Sequence, residues 1–184
     1  MYYTIDIKGM KRDLPLCRVS DELYIGAFVI FGDVELTEHC ARELLKIAPD
    51  YDYMLTAESK GIPLIYEMAR QSGQNKYFLA RKAQKLYMQD IFEMEVKSIT
   101  TEKLQHLYLD SSDAEQMKGK RILIVDDVIS TGESLHALEA LVQQVGAEIA
   151  GRVTILAEGA ALKRGDIQYL QELPVFNPDG TVKK

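Results

Sequence analysis

A surplus of positive charge, a long apolar run and a cysteine framework are all missing from this sequence, and each absence closes off a class of function. Lysine and arginine together number 22 against 28 aspartates and glutamates, a formal charge of −6. General attraction to nucleic acid or to an anionic membrane surface is therefore not expected, and any anionic partner needs a local pocket. The longest apolar runs, such as residues 25–31, fall far short of the ~20 residues that cross a bilayer, so no membrane span is expected. The two cysteines, Cys17 and Cys40, lie in apolar-leaning surroundings without CxxC spacing. Residues 1–6 lack a basic region followed by an apolar stretch, and a reduced, cytoplasmic chain is expected. His39, His106 and His136 are scattered, with no cysteine or carboxylate at ligand spacing, which argues against a protein-held transition metal. Low-complexity tracts are absent too. What remains is an ordinary globular composition, 47% hydrophobic and 27% charged over 184 residues, enough for one core at roughly 150 residues per domain.

Two segments repeat one pattern. Residues 52–57 are strand-like, residues 58–63 break the run, and Leu64, Ile65, Met68 and Ala69 then recur at helical spacing until Ser72-Gly73. Pro63 suits a first helical turn, and residues 76–80 return to strand character. The second unit is stronger. Arg121-Ile122-Leu123-Ile124-Val125 is a continuous apolar run of the kind buried on both faces of a parallel sheet, and it ends in Asp126-Asp127. Leu135, Leu138, Leu141, Val142 and Val145 trace one helical face, Gly146 is a natural stop, and residues 149–156 supply the next strand. Two such units predict an α/β fold with a doubly wound parallel sheet. Between them, residues 96–101 and 104–109 read as two strands joined near Glu102-Lys103, a mobile hairpin. Upstream, residues 23–31 are strand-like, and Thr37 is placed to cap a helix with Cys40, Ala41, Leu44, Leu45 and Ala48 inside, stopped by Pro49. Residues 173–180 read as irregular.

In open α/β sheets, ligands bind beyond the carboxyl ends of the strands. After Val125 come two carboxylates, Asp126 and Asp127, and then the turn Val128-Ile129-Ser130-Thr131-Gly132-Glu133-Ser134 that opens a helix. Amides at a helix start, with the hydroxyls of Ser130, Thr131 and Ser134, form a cradle for a phosphate, and Gly132 lets the chain approach the anion. Carboxylates beside that cradle repel a phosphate. Asp126 and Asp127 therefore suit another part of the ligand, as acceptors for vicinal sugar hydroxyls, and the expected ligand is a ribose carrying a 5′-phosphate. The same residues also fit a solvated strand end followed by an ordinary helix cap. A Walker-type nucleotide loop does not fit, because no lysine follows the glycine.

The stretch from Leu123 to Leu135 resembles the 5-phosphoribosyl 1-pyrophosphate (PRPP) motif of type I phosphoribosyltransferases. The resemblance implies that Asp126 and Asp127 hold the ribose hydroxyls while Ser130 to Ser134 hold the 5′-phosphate. Ala57-Glu58-Ser59-Lys60-Gly61 is similar to the pyrophosphate loop of the adenine-type enzymes, with Lys60 as its basic residue. Arg81-Lys82-Ala83-Gln84-Lys85-Leu86 is similar to the RKxxKL signature of that subgroup, whose lysines reach pyrophosphate, in some cases from the neighbouring subunit. As isolated charges, Lys60, Arg81, Lys82 and Lys85 equally fit solvated surface.

The likeness covers about residues 30–165. It implies a core near 37–165 and a small hood from about 1–36 and 166–184, within one domain over 1–184. Val29-Ile30-Phe31-Gly32-Asp33-Val34 is similar to the Phe-Arg-Asp-Ile stretch of the adenine enzymes' base-binding hood, with glycine in place of arginine. Phe31 is the candidate to stack on the base, though a lone aromatic in an apolar run also fits core. Where the adenine enzymes carry a glutamate in the hairpin, the nearest match is Ser98, which is closer to the xanthine enzymes. Glu158-Gly159-Ala160-Ala161-Leu162-Lys163 is adenine-like, with Glu158 near the base. The activity implied is purine salvage: transfer of phosphoribose from PRPP to a purine, adenine favoured, giving a nucleoside monophosphate such as AMP and pyrophosphate. Xanthine or hypoxanthine is the alternative base, and a non-catalytic PRPP-sensing regulator the alternative class. Asp126, Asp127 and Lys85 are the candidate catalytic residues, and Mg²⁺ is expected to arrive with PRPP. Residues 86–106 are expected to act as a lid that keeps water out, and the resemblance implies a homodimer.

Overall fold

The computed structural model describes residues 1–88, 90–97 and 104–183. In chain order its elements are β1 (Tyr2–Ile7), β2 (Met10–Ser20), β3 (Leu23–Gly26), α1 (Val34–Ile47), β4 (Tyr53–Ala57), α2 (Gly61–Ser72), β5 (Phe78–Ala80), β6 (Ile91–Lys97) and β7 (Leu104–Asp110). There follow α3 (Ser111–Met117), β8 (Arg121–Ile129), α4 (Glu133–Gln144), β9 (Glu148–Ala157), a 3-10 turn (Gly159–Lys163), β10 (Gln168–Glu172) and β11 (Val175–Phe176).

Five strands form a parallel sheet in the order β10-β9-β8-β4-β5. The apolar run of β8 sits at its middle, with Ile122, Leu123, Ile124 and Val125 at most 1% exposed, as a strand covered on both faces requires. Successive side chains go to opposite faces. Leu55, Ile122 and Ile124 pack with Leu135, Leu138, Leu141 and Val142 of α4, together with Met117 of α3 and Leu107 and Leu109 of the hairpin. Met54, Leu123 and Val125 pack with Cys40, Ala41 and Leu44 of α1 and Leu64, Ile65 and Met68 of α2. Helices on both faces make the sheet doubly wound, as the two repeated units predict.

The termini build the hood. Strands β1, β2, β3 and β11 form an antiparallel sheet in the order β1-β2-β3-β11. Its inward residues Ile5, Ile7 and Leu14 join the α1 and α2 side of the core. Residues 173–180 are thus not irregular throughout: Val175 and Phe176 pair with Ile25 and Tyr24, and the Phe176 ring lies 4.8 Å from that of Tyr3.

Three boundaries differ from expectation. Helix α1 begins three residues before Thr37 because Asp33 caps it, its side chain accepting from the Leu36 amide. Thr37 lies inside the first turn, donating its hydroxyl to the Asp33 carbonyl at 2.7 Å. Upstream, strand β3 stops at Gly26 rather than running to Phe31. The hairpin's first strand starts at Ile91, not Val96, and pairs in antiparallel register with β7. Ser98 and the expected connection at Glu102-Lys103 lie outside the described residues.

Candidate active site at the carboxyl edge of the sheet

Strand β8 does not end at the carboxylate pair. It stays paired with β9 as far as Ile129↔Ala157, while its pairing with β4 stops at Leu55↔Ile124. Asp126 and Asp127 therefore sit where β8 is held on one side and open on the other, facing the loop that leaves β4. That loop returns close. Gly61 opens α2, and a Cβ there would lie 2.2 Å from the buried Thr56 Oγ1 and 3.6 Å from Asp126 Oδ1, so only glycine fits. The peptide between Glu58 and Ser59 is cis. Lys60 reaches across with its Nζ 3.0 Å from Asp127 Oδ2. This is an ion pair without hydrogen-bond alignment, since that oxygen is buried with no hydrogen-bond partner.

Asp127 is 3% exposed, and its amide donates to Asp126 Oδ1 at 2.9 Å. Burial first, and repulsion from Asp127 second, push Asp126 up to about 7, with Lys60 acting in the opposite direction. A buried carboxylate beside a half-buried one is costly unless something donates to them. The site thus holds acceptor capacity that the folded chain leaves unused.

The start of α4 supplies complementary donors, whereas at α2 the Ile62 amide already donates to the Ser59 carbonyl at 3.2 Å and Pro63 has no amide. At α4 the cap position is Gly132, at φ 82, with no side-chain cap among the described residues. The left-handed φ is one that glycine adopts without strain. At α2 the cap position is Lys60, again without a side-chain cap. A cavity of about 60 Å³ lies at the α4 start, lined by Asp126 and residues 128–135, so Val128 to Ser134 do converge as the spacing predicts. Free amides and the helix dipole favour an anion there.

Glu58, Arg81, Lys82 and Lys85 also come together. The Arg81 guanidinium donates to Glu58 Oε1 at 2.7 Å, the Lys82 amide donates to Oε2 at 3.0 Å, and Lys85 Nζ lies 3.9 Å away. Burial works against an ionised Glu58, but these partners outweigh it and hold its carboxyl below the usual range. Glu58 therefore ties the cationic stretch to the end of β4, and Ser59 lies between it and Lys60. Arg81 and Tyr108 exchange backbone hydrogen bonds of 2.9 Å in both directions, fixing the stretch to the hairpin. Between this stretch, the hairpin and the first turn of α4 is a cavity of about 460 Å³, whose lining includes Ala57, Lys82, Gln84, Tyr108 and Ser134.

The two residues expected at the base fare differently. Glu158 follows β9 directly. Its amide donates to the Ile129 carbonyl at 2.9 Å, its Oε1 is buried with no hydrogen-bond partner among the described residues, and burial raises its pKa. Phe31 is 49% exposed rather than core, and no described ring contact or hydrogen bond joins it to Glu158 or the strand ends. Sequence reasoning missed Thr56, whose buried hydroxyl lacks a partner, and the contact that makes Gly61 obligatory. The glycine was visible, but the threonine it faces looks like any strand residue.

A carboxylate pair, a small cavity at a helix start and a cationic loop thus stand at one edge of a doubly wound parallel sheet, the frame of an α/β protein with its candidate site at the strand ends. Residues 36–175 match the phosphoribosyl transferase domain, and the chain belongs to that family. It is 32% identical over 173 residues to an adenine phosphoribosyltransferase of Thermotoga petrophila, covering 90% of this chain and 98% of that one. A Bacillus cereus xanthine phosphoribosyltransferase is 30% identical over 178 residues, covering 83% and 89%. A Methanosarcina acetivorans hypoxanthine/guanine phosphoribosyltransferase is 33% identical over 136 residues, covering 70% of this chain and 64% of that one. Among solved structures, the adenine phosphoribosyltransferase of Thermoanaerobacter pseudethanolicus shares the fold, with TM-score 0.64 and 20% identity over 94% of this chain and 95% of that one.

Proposed function

We propose that this chain transfers the 5-phosphoribosyl group of PRPP to a purine base, adenine ahead of xanthine and hypoxanthine, releasing pyrophosphate and a nucleoside monophosphate. The observation that carries it is the Asp126-Asp127 pair set between two helix starts that have no side-chain caps. In this reading the ribose hydroxyls donate to Asp126 and Asp127, and the amides and hydroxyls of Ser130 to Ser134 hold the 5′-phosphate. Lys60, with the stretch Arg81, Lys82 and Lys85 that Glu58 anchors beside Ser59, stabilises the pyrophosphate. The purine nitrogen forms its bond to ribose C1 as the bond from C1 to the pyrophosphate oxygen breaks, the electron pair leaving with pyrophosphate. Positive charge that grows on the sugar lies near Asp126 and Asp127, and rate acceleration comes from positioning and fixed charge.

Among the described residues no group of three or more His, Cys, Asp or Glu side chains is placed to hold a metal. The Asp127 oxygen that pairs with Lys60 but accepts no hydrogen bond among the described residues suits sugar hydroxyls, and Mg²⁺ would come with the substrate's own oxygens. Bound in that way, Mg²⁺ supplies charge neutralisation at the leaving pyrophosphate. In the same reading Glu158 and Phe31 serve the base, and the described residues of 86–106 keep water out. Residues 1–184 act as one domain. The protein works in the cytoplasm as a homodimer; the exposed Leu86 and Tyr87 beside Lys82 and Lys85 offer a surface for the second copy. No helix among the described residues is long and apolar enough to cross a membrane.

Initial rates with PRPP and Mg²⁺ against adenine, xanthine, hypoxanthine and guanine test the proposal. The highest kcat/KM is expected with adenine, with AMP and pyrophosphate formed one for one. Tight PRPP binding without turnover of any purine would instead mark a regulator.

A further inference from the structure

Away from the proposed substrate contacts, α4 carries a closed ring of charges. Glu139 is largely buried, and its Oε1 accepts from Arg152 Nε of β9 at 2.5 Å and from Arg164 Nη2 at 2.6 Å. Asp166 completes the ring, accepting from Arg164 Nη2 at 2.7 Å and Nε at 2.9 Å, with Arg152 Nη1 3.3 Å away. Two cations and two anions balance. Burial opposes the charge on Glu139, yet the two arginines hold its carboxyl below the usual range.

Arg164 closes the 3-10 turn, its amide donating to the Ala161 carbonyl at 3.1 Å. The Ala161 amide donates to the Ser130 carbonyl at 3.0 Å, where the phosphate cradle begins. One short turn is thus fastened at one end to the entrance of the cradle and at the other, through Arg164 and Glu139, to the body of the helix whose start forms the cradle. The helix itself does not depend on this ring, because Leu135, Leu138, Leu141 and Val142 already bury it against the sheet. The turn does depend on it, since Ala161 is its only buried residue. Losing Glu139 therefore frees the turn far more than it frees α4, and leaves two half-buried guanidinium groups sharing one carboxylate.

We propose that Glu139 is a positioning residue for the sugar-phosphate site, holding the 159–163 turn so that Ser130 and the α4 start keep the spacing a 5′-phosphate requires. The inference rests on PRPP binding at the cradle, as set out above. It is tested on the full chain with Glu139→Gln, Glu139→Asp and Arg164→Ala, measuring KM for PRPP, kcat, PRPP affinity by calorimetry and Tm. Glu139→Gln is expected to raise both KM and Kd for PRPP about tenfold with kcat changed less than twofold, and Glu139→Asp to recover part of the loss. Arg164→Ala is expected to show the same split, and it decides the matter if Glu139→Gln does not fold. A lowered Tm with KM and Kd for PRPP unchanged would overturn the proposal and leave the ring a stabilising feature only. Failure of the unsubstituted protein to bind PRPP would instead sink the function itself, so the two failures are distinct.

Discussion

At the starts of α1 and α3 an aspartate side chain satisfies the first helical amides: Asp33 accepts from Leu36 at 3.0 Å and Asp110 from Ser112 at 3.3 Å. At the starts of α2 and α4 no described side chain does so, and the cap positions carry Lys60 and Gly132. Leaving helix amides uncapped forgoes about 1 kcal/mol each relative to a good cap. Both follow strands of the central sheet, but they differ: at α2 the Ile62 amide donates to the Ser59 carbonyl at 3.2 Å and Pro63 has no amide, so the start left open is that of α4, whose cavity Asp126 also lines. The difference separates starts closed by their own aspartates from the start of α4, where we place the phosphate.

The largest effect is expected at the carboxylates beside the open start of α4. Asp126→Asn is expected to lower kcat/KM by about 10²- to 10³-fold, in the range of losing one group aimed at developing charge, with the Tm held or raised because a buried charge is removed. The pH dependence has a definite sign. Asp126 is raised in the folded protein from 3.8 to about 7, so between those values the native state holds a proton that the unfolded chain has released. Its contribution to the stability of the free protein is therefore lost as pH rises toward 7. Sugar binding runs the other way, because only the carboxylate accepts from two hydroxyls. KM for PRPP is expected to fall as pH rises through 7, and a flat profile in the unsubstituted protein would contradict the assignment.

Gly61→Ala comes next. The added carbon meets Thr56 Oγ1 at 2.2 Å, which displaces the α2 start and Lys60 with it. A misplacement of about 1 Å costs about 10²-fold in rate. Thr56→Ala removes the obstructing oxygen, so the double variant is expected to recover much of the loss. Kinetics on the two single variants and the double variant measure that coupling directly.

How much of this contrast a reader of the sequence sees depends on the range of the interaction that creates it. Strand β8, the inner face of α4 and the run from Asp126 to Ser134 are legible because the pattern lies within a dozen residues and each position has one reason to be what it is. The start of α1 is not. Asp33 and Thr37 both make good caps, and the choice is made by Arg12 of β2, which donates to both Asp33 oxygens at 2.6 and 3.1 Å from 21 residues away. Glu58 is a second case: it sits in a pyrophosphate-like loop, and that its carboxylate is taken by Arg81, 23 residues on, is not visible in the local pattern. Helix α3 went unseen because seven residues with only Ala114 and Met117 buried show no period.

At the closed starts, substitutions should touch stability and little else. Asp33→Ala removes a cap and the partner of Arg12, and about 2 kcal/mol is expected, the upper end for a cap because an ion pair goes too. Its carboxyl is held below its ordinary 3.8, first by the Arg12 hydrogen bonds, against burial and with help from the Leu36 amide. That contribution is present above the ordinary carboxylate range and is lost as pH falls through the folded-state value. Acid unfolding of the unsubstituted protein is therefore expected to show a stability loss that Asp33→Ala lacks.

The smallest effect, and the one that tests the comparison from its other side, is expected at Asp110. Its side chain accepts from both the amide and the hydroxyl of Ser112, but α3 is short and the bond to the amide is long at 3.3 Å. Asp110→Ala is expected to cost about 0.5–1 kcal/mol by chemical denaturation, with kcat and KM for PRPP unchanged within error. Adding inorganic phosphate sharpens the contrast. It should raise the Tm of the Asp110→Ala protein as much as that of the unsubstituted one, because the anion binds at α4 and α3 takes no part. If phosphate stabilised the variant less, a closed start would be contributing to anion binding, and the division between the two kinds of helix start would fail.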